Sequence, residues 1–127
     1  MGMPAGSGLE FEVARDLPSV AGWVHNMSIQ RVIKGDECEF VLPARVDGAT
    51  ANQLEIEVLE VMRGGAKTIL INLAASNFLC SAGIRVILQY HRQMKTQGKV
   101  LLVSRTSPEI DQILELTGFR DQIVEKR

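Results

Sequence analysis

The chain is poor in the side chains that most often do chemistry. Only two histidines and two cysteines occur in 127 residues. Cys38 and Cys80 cannot supply four zinc ligands, and one pair is no disulfide framework, so a reducing, cytoplasmic setting is expected. Net charge is scarce as well: 14 basic residues against 15 acidic ones leave a formal charge of −1, which offers no coat for nucleic acid or anionic lipid. Long apolar runs are missing too. The longest are strand-sized and interrupted by polar residues, so neither a spanning segment nor direct membrane insertion is expected. What is present is a 46% hydrophobic composition, too apolar for a disordered regulator and enough for one domain with its own core.

Enzyme signatures are absent in the same way. There is no GxGxxG opening a helix, no GxxxxGK[ST] and no HExxH. His91 falls on a helix position facing the core edge, and His25 lies beside Trp23; both read as structural. A non-enzymatic chain is expected, with no catalytic residue, no metal and no cofactor.

Residues 1–27 read as a leader and a short amphipathic helix, and 28–127 as the domain. The leader lacks the basic and apolar regions of a secretory signal. Leu9–Ala14 alternates like a short strand, and Leu17–Asn26 carries apolar residues at helical spacing. Ser28–Ile33 and Glu37–Leu42 are strand candidates joined by a hairpin turn. A helix follows, capped by Asp47 or Thr50, with Leu54, Val58, Val61 and Met62 on its apolar face and Gly64-Gly65 at its end. Lys67–Leu73 is a buried-type strand, Ala82–Thr96 a second helix, and Lys99–Ser104 another strand. Ser107-Pro108-Glu109 starts a third helix that Gly118 closes, and Ile123-Val124 suggests a last short strand. Helices between apolar strands imply parallel pairing, with an antiparallel hairpin in front. The expected fold is α/β: a mixed sheet with helices packed on it and an N-terminal helical extension.

One junction stands out. The strand ending at Leu73 leads through Ala-Ala-Ser-Asn into Phe78-Leu-Cys-Ser-Ala-Gly-Ile84, where small residues leave a helix N-terminus uncovered. Its first amides carry partial positive charge, and Ser81 lies where a hydroxyl would be displayed. By spacing alone, Ser81 reads first as the N-cap and second as a signalling residue.

Asn72-Leu-Ala-Ala-Ser-Asn-Phe-Leu-Cys-Ser-Ala-Gly-Ile84 resembles the core motif of STAS domains, the bacterial anti-sigma factor antagonists and their relatives in stressosomes and sulfate transporters. Leu42-Pro-Ala-Arg-Val-Asp47, Gly98–Val103 and Ser107-Pro108 through Leu116-Thr-Gly-Phe119 are similar to three further stretches of the family, in the family's order. The resemblance implies a STAS-like sheet and a cytoplasmic regulator that binds a serine kinase acting as anti-sigma factor. It implies Ser81 as the phosphorylation site, with Asp47, Thr50, Asn77, Cys80, Ser81, Ala82, Gly83 and Arg85 as partner-binding residues. A homodimer is among the assemblies it allows.

The chain departs from the family pattern at three points. Cys80 and Asn72 stand where the family carries acids, and Ala44 where it carries glycine. Cys80 reads as a small buried thiol, with a redox-sensitive cysteine as the alternative. Family members also carry a helix after the last strand, and the Leu17–Asn26 segment is expected to cover the surface that helix protects. Two other functions stay open: a scaffold subunit of a stressosome or lipid-transport complex that is never phosphorylated, and a sensor binding a small ligand or anion at the helix terminus.

Overall fold

The computed structural model describes residues 29–125. The expected strand at Leu9–Ala14 and helix at Leu17–Asn26, with His25 and Trp23, lie outside the described residues. Within them, β1 (Gln30–Lys34) and β2 (Glu37–Val41) form the hairpin, paired antiparallel from Gln30 opposite Val41 to Lys34 opposite Glu37. Its two-residue turn depends on Gly35, whose φ of 61° is open to glycine at no steric cost. A two-residue strand, β3 (Arg45–Val46), leads into helix α1 (Gly48–Arg63). Then follow β4 (Thr68–Leu73), the short β5 (Phe78–Leu79), helix α2 (Ser81–Thr96) and β6 (Val100–Thr106). Helix α3 (Pro108–Thr117) and the single-turn α4 (Arg120–Ile123) end the described chain.

The main sheet has the order β1-β2-β4-β6, with β2, β4 and β6 parallel, and β3 pairs with β5 in a separate two-stranded sheet. Register builds the core. Cys38, Ile69 and Leu101 lie side by side across three strands, as do Phe40, Ile71 and Val103. All six are buried, and the side chains of α1 (Leu54, Val58) and α2 (Val86, Ile87, Met94) complete the same cluster. A strand has a period of two, so this assignment sends Val32, Glu39, Leu70 and Leu102 to the other face.

Two expectations, the last strand and the start of α2, need correction. Ile123-Val124 is no strand: Gln122 and Ile123 donate to the Phe119 carbonyl, closing a helical turn that buries Ile123, and only one parallel bridge joins Val124 to Val103. Helix α2 begins at Ser81, one residue before the expected Ala82. Strands β3 and β5 went unforeseen, because two residues carry no readable periodicity. At the end of α1 the left-handed conformation belongs to Gly65, with φ 95°, while Gly64 keeps a φ of −78°. The first helix cap is Asp47, since Thr50 lies inside the helix.

Candidate functional site at the start of helix α2

The β3–β5 pair sets two helix starts beside each other. Arg45 is opposite Phe78 and Val46 opposite Leu79, and the Cys80 amide donates to the Val46 carbonyl at 2.9 Å. Asp47 and Cys80 are therefore the next residues along, and each is the N-cap of a helix. The preceding loop is fastened at its base. Ser76 Oγ donates to the Pro43 carbonyl at 2.7 Å, the Asn77 amide donates to the Ala44 carbonyl at 2.8 Å, and the Ser107 hydroxyl donates to the Ser76 carbonyl. Hydrogen bonds to two separate segments, Pro43-Ala44 and Ser107, hold the turn that presents residues 78–81.

The two helix starts are treated differently. Asp47 Oδ1 accepts from the Thr50 amide at 3.0 Å and from the Thr50 hydroxyl at 3.1 Å, which covers the end of α1. Those two bonds, amide first, hold the Asp47 carboxyl below its ordinary value. At α2 the N-cap is Cys80, which makes no side-chain cap bond, and the first turn contains no acid. The reading of Ser81 as N-cap is overturned. Cys80 has the extended backbone of a cap, with φ −79° and ψ 167°, and Ser81 is the first helical residue, exposed and free of cap duty. The positive end of α2 is left without a compensating carboxylate, so added negative charge at Ser81 is favoured there.

The residues expected around Ser81 sort by depth. Asn77, Ser81 and Arg85 are exposed, while Cys80 and Ala82 are half-buried. Cys80 packs against the core as a small apolar group. Thr50 and Gly83, also expected at the contact surface, are buried beneath it. Gly83 is there for space, because a Cβ would stand 2.7 Å from Leu79 Cδ1 and 3.3 Å from Val46 Cγ1. Asn72 is the penultimate residue of β4, donating to Glu39 Oε2 at 3.2 Å and accepting from the Ala74 amide at 2.9 Å. His91 is structural: its Nδ1 lies 2.8 Å from the Leu101 carbonyl, which only accepts, so Nδ1 carries the proton.

Other residues at this site were not foreseen. A groove of about 490 Å³ runs along α2 from Ser81 past Ile84, Arg85, Leu88 and Gln89 to Arg92. Ile84 and Leu88 are half-buried, packing against the core cluster and also lining this groove. Their signal was the stripe at 81, 84, 85, 88 and 92, which follows helical spacing. Arg45 stacks over the Phe78 ring with its guanidinium carbon 4.2 Å from the centroid, a contact hidden in a strand pair too short to read. Across the α1–α2 seam, Tyr90 Oη donates to Glu55 Oε2 at 2.7 Å and Arg85 Nη2 lies 3.8 Å from Glu55 Oε1. Burial first, and the Glu55 bond second, push the Tyr90 hydroxyl up to about 12.

Among the described residues no group of three His, Cys, Asp or Glu side chains is placed to hold a metal ion, and no helix is long and apolar enough to cross a membrane.

A mixed four-stranded sheet, with a serine presented at the first position of an uncapped helix beside a two-strand clip, defines a class of small α/β domain. The family description "STAS domain" matches residues 28–126, and the chain belongs to the STAS domain family. It is 28% identical over 74 residues to BtrV of Bordetella bronchiseptica, a protein that carries the assignment of anti-sigma factor antagonist; the match spans 58% of this chain and 64% of BtrV's own length. Its fold is similar to that of the anti-sigma factor antagonist SpoIIAA in its unphosphorylated form, with a TM-score of 0.68, 17% identity and coverage of 79% of this chain and 89% of that one. Against the phosphorylated form of the Bacillus cell fate determinant SpoIIAA the TM-score is 0.64 at 16% identity, covering 79% and 92% of the two chains.

Proposed function

We propose that this STAS domain is a non-enzymatic regulatory module of the anti-sigma factor antagonist type, whose contact surface is the start of α2 and whose switch is phosphorylation of Ser81. One observation carries the reading. Ser81 is exposed at the first position of α2, its hydroxyl has no cap to make, and the first turn holds no acid. A partner serine kinase transfers the γ-phosphoryl group of a nucleoside triphosphate to Ser81 Oγ: the Oγ–P bond forms, the bridging O–P bond breaks, the diphosphate leaves and the hydroxyl proton is released. The product carries about −1.5 to −2 charges. A helix start accommodates that charge, whereas a partner surface packed on the same spot meets unpaired charge and added bulk. Kinase and anti-sigma factor are one protein in this reading, and the unmodified domain binds it.

The test is binding of the cognate serine kinase to the parent, to Ser81→Ala and to Ser81→Glu. Parent and Ser81→Ala bind alike and Ser81→Glu binds at least about tenfold more weakly, since an unpaired buried charge at an interface costs more than one decade of affinity. Equal binding by all three rejects the switch. The neutral Cys80 and Asn72, where relatives of the family pattern carry acids, favour a second reading as a constitutive scaffold subunit. Equal binding is the result that reading expects.

A further inference from the structure

Helix α2 carries an arginine one turn below Ser81. Arg85 lines the same groove as Ser81, and residues four apart on a helix stand about 6 Å apart at Cβ, within easy reach of a guanidinium. In the unmodified protein Arg85 is turned the other way. Its Nη1 donates to Gln89 Oε1 at 2.9 Å and its Nη2 lies 3.8 Å from Glu55 Oε1 on α1. Both contacts are weak holds. The first is an exposed bond to a neutral amide, and the second is an ion pair whose arginine side chain is 58% exposed. Glu55 does not depend on Arg85, because Tyr90 Oη donates to its other oxygen at 2.7 Å.

Resting on the reading of Ser81 as a phosphate acceptor, we propose that Arg85 is the intramolecular receptor of that phosphate: on modification it leaves Gln89 and Glu55, swings one turn back along α2 and pairs with the phosphoryl oxygens. Three features favour the exchange. The phosphate offers nearly twice the charge of Glu55 and a two-oxygen edge that fits a guanidinium fork. Helical side chains lean toward the N-terminus, so the swing follows their preferred direction. An anion N-terminal to a cation at this spacing is the favourable order on a helix. The consequence is double. One unit of the new charge is compensated within the domain, leaving about −0.5 to −1 to face a partner, and an arginine link between α1 and α2 is unfastened while the Tyr90–Glu55 bond stays. Arg85 is then a positioning residue for the modified state, with no role in the transfer itself.

The full chain, made with phosphoserine incorporated at position 81, tests this without any kinase. The phosphorus resonance, followed against pH, gives the second ionisation of the phosphate, near pH 6 when unperturbed (about 6 in an exposed phosphoserine). In Arg85→Gln the midpoint rises by at least about 0.3 pH unit, a twofold gain in proton affinity, because the dianion has lost its cation. Arg85→Lys returns toward the parent, since it restores the charge. The proposal is overturned if Arg85→Gln titrates like the parent, or if Lys and Gln raise the midpoint equally. A separate incubation of the unmodified chain with the cognate kinase reports on the switch itself. Missing phosphate there with an Arg85-dependent titration removes the switch and keeps the receptor; phosphate on Ser81 with an Arg85-independent titration does the reverse.

Discussion

At Ser81 the decisive question is what its hydroxyl does in the folded chain. A serine at a helix start is commonly a cap, and a cap is occupied. Here Cys80 takes the cap position without using its side chain, so the hydroxyl one residue later is unemployed. The capping work that does occur is on the neighbouring helix, at Asp47, and it has a pH signature. The Asp47 carboxyl titrates below its ordinary 3.8 when folded, so its stabilisation is full above that value and is lost as pH falls through the lower folded value. Asp47→Ala is expected to lower Tm by a few degrees at pH 7, and the gap to the parent closes only below about pH 4, measured by thermal melts across that range. Tyr90 gives a second residue-scale prediction, made clean because it is the only tyrosine in the chain. Its hydroxyl is held protonated up to about 12, so the bond to Glu55 stabilises the fold fully below pH 10 and is lost as pH rises through 12. Phenolate absorbance should appear near pH 12 in the folded protein and near 10 in denaturant, and Tyr90→Phe should cost about 1 kcal/mol at pH 7.

Among the elements, α2 owes the placement of Ser81 to what its N-terminal turn is packed against. Gly83 lets the helix sit down on Leu79 and Val46, which keeps Ser81 at the surface and the backbone close to the β3–β5 clip. Gly83→Ala trades a gain in helix propensity of about 1 kcal/mol against displacement of Leu79 Cδ1, and near-neutral stability is expected. Gly83→Val has no room and should cost about 2 kcal/mol or more, read in urea melts as a lower midpoint at unchanged slope. The elements also show how far the sequence could be read. The hairpin, α1, β4, β6 and the Ser107-Pro108 start of α3 were legible because each carried a period or a cap of its own. The β3–β5 clip was not. It is fixed by tertiary pairing of Arg45–Val46 with Phe78–Leu79, and two-residue strands leave no pattern. Ile123-Val124 failed for a related reason: a β-branched pair suits a strand, yet the turn after Gly118 directs it into a helical one. At the site, the position of Ser81 was legible but its duty was not, because a shift of one residue in the helix start decides between cap and displayed hydroxyl.

For the whole molecule, the parallel core strands and the two helices on them form one packed cluster, with the site at its rim. Ser81 is exposed and outside the core cluster, so the proposed switch would act by what the surface presents, with no refolding. Ser81→Glu is therefore expected to keep the parent's far-UV spectrum and to melt at the same temperature or slightly higher, because an acid in the uncompensated first turn of α2 contributes about 0.3–1 kcal/mol. A core change behaves differently: Ile71→Ala, in the middle of β4, should cost about 2–5 kcal/mol. The small charge and the scarcity of histidine and cysteine fit a domain that signals through one displayed hydroxyl. The most direct measurement of that claim is the intact mass and phosphosite map of the chain after incubation with its cognate serine kinase. The account predicts one added phosphate, on Ser81, absent in Ser81→Ala; an unmodified chain, or a phosphate on another residue, contradicts it.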